Sequence, residues 1–158
     1  MMSKQREEAV WRRVLAASEQ VASEPPKQED FTAEQVMTLL QAKLQDACTY
    51  GTLAARTKGD VRRCLLRLAG EERSHAGKLE AVYYLMTGSR PCCDRPKAPC
   101  VACTNEELRK RYKLEVEAAQ KYKCLAEKAG SFAGVFHCLH RDEQRHAAMI
   151  LNLLEQCL

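Results

Sequence analysis

Proline is scarce in this 158-residue chain, standing only at positions 25, 26, 91, 96 and 99. The stretches 27–90 and 100–158 therefore hold no ring that would break an α-helix, and long helices can run through both. Apolar runs of the roughly 20 residues needed to span a bilayer are absent, which argues against a transmembrane helix and a membrane partner. The start of the chain, MMSKQREEAVWRR, is charged where a secretory signal needs an apolar stretch, so a cytoplasmic location is expected. Blocks of like charge are also missing. The 25 basic and 21 acidic residues are mixed along the chain, and a net charge of +4 so distributed does not suit a phosphate backbone, so no nucleic-acid partner is expected.

Hydrophobic residues are plentiful, at 46%, enough for one ordinary domain to bury a core without disulfides. Nine cysteines are many, but the number is odd, and in a reducing compartment such residues serve more often as thiols or metal ligands than as disulfides.

The periodicity is helical almost throughout. A short amphipathic segment within residues 1–24 places Val10, Trp11, Val14, Leu15 and Val21 roughly on one face, and Pro25 and Pro26 separate it from a second unit, 31–158. In that unit a first helix is predicted over 33–57 behind the cap candidates Asp30 and Thr32, with Val36, Leu40, Lys43, Ala47, Tyr50 and Ala54 on one stripe. A second, over 61–86 and capped by Asp60, has the stripe Val61, Leu65, Leu68, Glu72, His75, Leu79, Val82, Met86. A third follows a T-x-x-E capping box of Thr104 and Glu107, with Leu108, Tyr112, Glu115, Ala119, Tyr122 and Ala126 on its stripe. Gly130 and Ser131 lead into a fourth, striped by Phe132, Phe136, Leu139, Glu143, His146, Ile150, Leu153 and Cys157.

Connection lengths predict topology. The linker 87–103 holds 17 residues, whereas the other two bundle connections are short. A helix of about 26 residues is roughly 39 Å long and 17 extended residues reach about 56 Å, so this linker can return along the bundle. The expectation is an all-α four-helix bundle with one long crossover, helices 2 and 3 running parallel, preceded by a short N-terminal helix.

The chemistry lies in an internal repeat. Leu68, Glu72, His75 and Leu79 recur 71 positions later as Leu139, Glu143, His146 and Ile150. In each copy E-x-x-H places a carboxylate and an imidazole on adjacent positions of one helix face, where both can reach one cation. A single Glu-x-x-His arises often by chance on a solvated face. Here both copies interrupt apolar stripes and a third core-face acid, Glu115, precedes the second copy at a matching level. Burying such charges unpaired would cost several kcal/mol each, and a metal ion is the simplest compensation.

Glu115 with E-x-x-H at Glu72 and at Glu143 resembles the ferritin-like superfamily of di-iron carboxylate proteins, particularly its rubrerythrin-like members, over about residues 31–157. The resemblance implies iron, as one or two ions, with manganese or zinc as substitutes. Glu72 and Glu143 would bridge, and His75, His146 and Glu115 would be terminal ligands. Tyr50 and Tyr122 fall where tyrosines commonly follow the carboxylates of the first and third helices. It implies an oxidoreductase acting on dioxygen or hydrogen peroxide, supplied by an electron-donor protein; a homodimer is the expected assembly. A non-catalytic iron-binding or storage protein is the alternative.

One position departs from the pattern. Where the resemblance expects a glutamate on the first helix, the chain has Lys43. Three carboxylates plus one ammonium carry a charge of minus two, enough for one divalent ion, so a single metal or a metal-free salt-bridge cluster in a degenerate bundle enters the reading. Asp46, one turn away, is a shorter substitute ligand at a displaced level.

The linker segment RPCCDRPKAPCVACT carries Cys92, Cys93, Cys100 and Cys103, which could bind zinc or iron through thiolates, although the spacing is not that of paired C-x-x-C sites. Cys48, Cys64, Cys124, Cys138 and Cys157 read as small packing residues. His137 and His140 belong to no evident site.

Overall fold

In a computed structural model the described residues, 31–156, form four α-helices and no strand. The N-terminal segment 1–24 and Cys157 lie outside the described residues. Helix α1 spans Ala33–Ala55, α2 Gly59–Thr87, α3 Thr104–Lys128 and α4 Ala133–Gln156, the last entered through a 3₁₀ turn at Gly130–Phe132. None of them is long and apolar enough to cross a membrane.

The helix starts show which of several local signals wins. At α1 the cap is Thr32: its hydroxyl accepts from the Gln35 backbone N–H at 3.2 Å, and the Gln35 side-chain oxygen accepts from the Thr32 N–H at 3.2 Å. This reciprocal pair satisfies two otherwise unpaired donors. Thr32→Ala is expected to lower stability by about 1 kcal/mol, and Thr32→Ser to retain most of it, both read from urea unfolding midpoints.

The other two expected caps are corrected. Helix α2 begins earlier than Asp60: Lys58 takes the N-cap position without a side-chain bond, and Gly59, at φ 58°, makes the entry turn that glycine tolerates cheaply. Asp60 instead sits in the first turn, paired with Arg63, where a carboxylate suits the positive helix end. At α3 the N-cap is Cys103, in extended conformation, so Thr104 is already helical and the Thr104–Glu107 capping box does not form. The Glu107 carboxylate turns to Arg111, 3.6 Å away and one turn on along the same face.

Every helix contributes to two apolar clusters. One joins Val36 and Leu40 of α1, Leu79 and Val82 of α2, Tyr122 and Leu125 of α3, and Phe136 and Leu139 of α4. The other joins Tyr50 and Leu53, Leu65 and Leu68, Leu108, and Ile150 and Leu153, with Val101 of the linker. On each helix the buried polar residues fall between the two sets in sequence: Lys43 on α1, Glu72 and His75 on α2, Glu115 on α3, Glu143 and His146 on α4. A polar layer is thus enclosed by apolar side chains on both sides.

The linker is tied to α1 by two glutamine amides one turn apart. The Gln41 side chain donates to the Asp94 carbonyl and accepts from the Asp94 N–H, each at 2.9 Å. Gln45 does the same with Lys97, at 2.7 and 3.2 Å.

Candidate metal centre

The stripe positions that carry Glu, His and Lys in the sequence all lie inside. Glu72, Glu143 and His146 have no exposed surface, and Lys43 is 3% exposed. One ligand atom from each of Glu72, His75, Glu143 and His146 lies within 4.8 Å of the others, so this buried group could hold a metal ion. Glu115 joins it from α3, its Oε2 3.6 Å from His146 Nδ1.

The two imidazoles are held alike, by a second pair of acids. His75 Nε2 lies 3.1 Å from Asp142, and His146 Nε2 lies 2.8 Å from Glu71. A carboxylate at Nε2 fixes the ring and leaves Nδ1 facing the interior, which is the arrangement a metal-ligating histidine needs. The interior atoms are then close: His146 Nδ1 is 2.9 Å from Glu72 Oε1, and His75 Nδ1 is 3.1 Å from Glu143 Oε1. The rings stack at 5.2 Å between centroids.

Lys43 enters this layer directly. Its Nζ is 3.0 Å from both oxygens of Glu143, 3.0 Å from Glu72 Oε2 and 3.3 Å from Asp46 Oδ2. Burial alone would strip the ammonium of its proton, but the Glu72 and Glu143 charges outweigh it and hold Lys43 protonated. Asp46 does not join the candidate ligands; it pairs with Lys43 and with Arg111 of α3.

The protonation pattern follows from these contacts. Burial disfavours imidazolium, yet the Glu143 and Glu72 contacts raise His75 to about 9, and the Glu115 and Glu72 contacts raise His146 to about 10. Burial and the facing Glu115 carboxyl push Glu143 up to about 8. Glu72 is also buried, but hydrogen bonds from both histidines and the Lys43 charge hold it well below the usual carboxylate range.

Among the described residues, five buried side-chain polar atoms lack a hydrogen-bond partner, and four belong to this layer: Glu72 Oε2, His75 Nδ1, Glu115 Oε2 and the Tyr122 hydroxyl. Glu72 Oε2 is within ion-pair distance of Lys43 but outside hydrogen-bond geometry. Unpaired buried polar atoms are rare, and their convergence here is what a ligand would relieve. Comparisons with protein-family models, curated proteins and solved structures found no match.

Glu71 and Asp142 were not among the sequence candidates, although the signal was present: the same shift of 71 that relates the two E-x-x-H copies also relates Glu71 to Asp142. Each reaches the histidine of the opposite copy. Arg145 supports both, at 2.7 Å from Glu71 and 3.1 Å from Asp142, and hydrogen bonds from Arg145, Arg67 and His146 overcome burial to draw Glu71 down to about 2. Replacing Glu71 by Gln is expected to weaken divalent-metal binding by about 10–100-fold, with helicity unchanged, as read by metal titration and circular dichroism.

Tyr50 donates its hydroxyl to Glu115 Oε1. His140 stays outside the layer: its Nδ1–H donates to the Ala119 carbonyl at 2.8 Å, and the ring lines a groove of about 570 Å³ with Val116, Ala147 and Leu151. Cys92, Cys100 and Cys103 are exposed and Cys93 is half-buried, its thiol 3.7 Å from the Met37 sulfur. The four linker cysteines do not converge into a group of the kind formed by Glu72, His75, Glu143 and His146 among the described residues.

Proposed function

We propose that this chain is a ferritin-like metalloprotein whose polar layer binds iron or manganese and supports oxidoreductase chemistry on dioxygen or hydrogen peroxide, in the manner of rubrerythrin. The observation that carries the metal reading is the inward Nδ1 of each histidine, with Nε2 held by Glu71 or Asp142, beside carboxylate oxygens that lack hydrogen-bond partners. The ferritin-like topology is supported by the linker. It follows α1 from Gln41 to Gln45, and Leu65 shares a cluster with Leu108, while Val82 shares one with Leu125. Such neighbours fit α2 and α3 running parallel, joined by a crossover.

When bound, iron or manganese would supply redox equivalents and a Lewis acid for an oxygen ligand. The protein's own residues enclose the site: the two apolar clusters restrict water, and Glu71, Asp142 and Tyr50 orient His146, His75 and Glu115. An electron-donor protein and a homodimeric assembly belong to the same proposal. The test is elemental analysis of anaerobically purified protein, with anomalous diffraction at the iron, manganese and zinc edges. Iron or manganese in the polar layer, with peroxide-dependent oxidation of bound iron, supports the reading. Metal bound without turnover supports storage.

A second reading is favoured by the Lys43 geometry. One ammonium and two imidazolium ions face the three core carboxyl groups, so a salt-bridge cluster can compensate them without a metal. Protein that stays metal-free after exposure to ferrous and manganous ions would establish it.

A further inference from the structure

The two halves of the polar layer are unequal, and their inequality assigns the metal to one of them. On the α1–α2 side, Lys43 Nζ lies 3.0 Å from Glu72 Oε2 and from both Glu143 oxygens. His75 Nδ1 faces the same atoms, at 3.4 Å from Glu72 Oε2 and 3.1 Å from Glu143 Oε1. Any ion drawn to His75 would meet oxygens already held by an ammonium, and would bring a second positive charge against it.

The α3–α4 side is arranged differently. His146 Nδ1 has Glu72 Oε1 at 2.9 Å, Glu115 Oε2 at 3.6 Å and Glu143 Oε2 at 4.0 Å. Around a cation with bonds of 2.0–2.2 Å, tetrahedral ligand atoms stand about 3.4 Å apart, which these separations straddle. Each donor is anchored from behind. Glu71 holds His146 Nε2, the Tyr50 hydroxyl holds Glu115 Oε1, and Lys43 faces Glu72 Oε2. The atoms left over are His146 Nδ1 with Glu72 Oε1 and Glu115 Oε2 on either hand, at 2.9 and 3.6 Å, and Glu115 Oε2 has no hydrogen-bond partner.

We infer that the centre is mononuclear: one divalent cation is held by His146, Glu72 and Glu115, and the Lys43 ammonium, which holds Glu143, stands as a tethered second cation in the half that contains His75. This rests on the metal-binding reading and adds its stoichiometry and position. Lys43 offsets one of the three carboxylate charges without occupying His146 or Glu115, and with neutral imidazoles the remaining charge of minus two matches one divalent ion. His75 becomes a positioning residue for Glu143, and His146 a ligand.

The probe is cobalt(II), titrated anaerobically into metal-free protein and followed by visible absorption and equilibrium dialysis. The intact chain is expected to bind one ion, with no magnetic exchange between cobalt centres. His146→Ala should weaken binding by more than about 100-fold, beyond what loss of a supporting residue costs, whereas His75→Ala should keep one ion with its ligand-field spectrum little changed. Lys43→Glu should raise the stoichiometry to two. Anomalous diffraction at the cobalt edge on the unaltered protein gives the position without relying on any variant's folding. An ion beside His146 and Glu115 supports the inference. Two ions in the unaltered chain, or one ion beside His75, overturns it while leaving the metal-binding reading intact. No cobalt bound to the unaltered chain overturns both.

Discussion

Replacing Lys43 by methionine is expected to lower the stability of the metal-free protein by about 3–5 kcal/mol, the usual cost of removing one partner from a buried charge cluster. Methionine fills similar space, so the loss reports charge more than volume. The ammonium lies 3.0 Å from both Glu72 and Glu143, neither of which has any exposed surface, and water cannot replace it there. Acid should soften the effect, because the orphaned glutamates can then take up protons. Divalent metal should reverse much of it, since an ion that binds only the folded state adds about 2.7 kcal/mol at a hundred times its dissociation constant. The measurement is urea unfolding of both proteins at pH 7, in chelator and in excess manganese. A loss below about 1 kcal/mol in chelator would show that the ammonium is not what compensates these carboxylates.

Metal-free protein is expected to lose stability between about pH 6.5 and 10, and metal-loaded protein to lose less through that window. Both histidines have folded-state values above the ordinary 6.5, at about 9 and about 10. Protons on them therefore favour the folded state: the contribution is complete below 6.5, declines as pH rises, and is gone above 10. Glu143, raised to about 8, acts in the same direction over a lower range, from about 4.5 to 8. Each histidine contributes on the order of 3 kcal/mol or less, which is large against the total stability of a small domain. A bound divalent ion takes the place of the His146 imidazole proton, so binding at pH 7 should release about one proton per ion. Calorimetry in buffers of different ionisation enthalpy counts them. Release of no proton, or identical alkaline unfolding with and without metal, would contradict this account.

Much of the polar layer was legible in the sequence because helical period fixes which residues share a face. Glu72 and His75, like Glu143 and His146, are three positions apart within apolar stripes, and such stripes turn inward wherever a core forms. The level of Glu115 against Glu143, and of Lys43 against Glu72, followed from counting residues back from short turns. Helix starts were less legible. Asp60 and Thr104 are good caps by residue type, but Lys58 and Cys103 hold the cap positions because Gly59 turns the chain early and Glu107 is drawn to Arg111.

What the sequence determined by itself was the helical composition, the four stripes and the set of polar residues those stripes carry, all consequences of spacing along one helix. The tertiary structure alone decided how these residues pair across helices: Asp142 with His75, Glu71 with His146, Asp46 with Arg111, Tyr50 with Glu115, and Lys43 with two glutamates at once. These partners are 29 to 100 residues apart in the chain, and a hydrogen bond tolerates only a few tenths of an ångström. That precision comes from how far each helix is rotated and shifted against its neighbours, which packing of the whole core sets and no single helix's pattern contains.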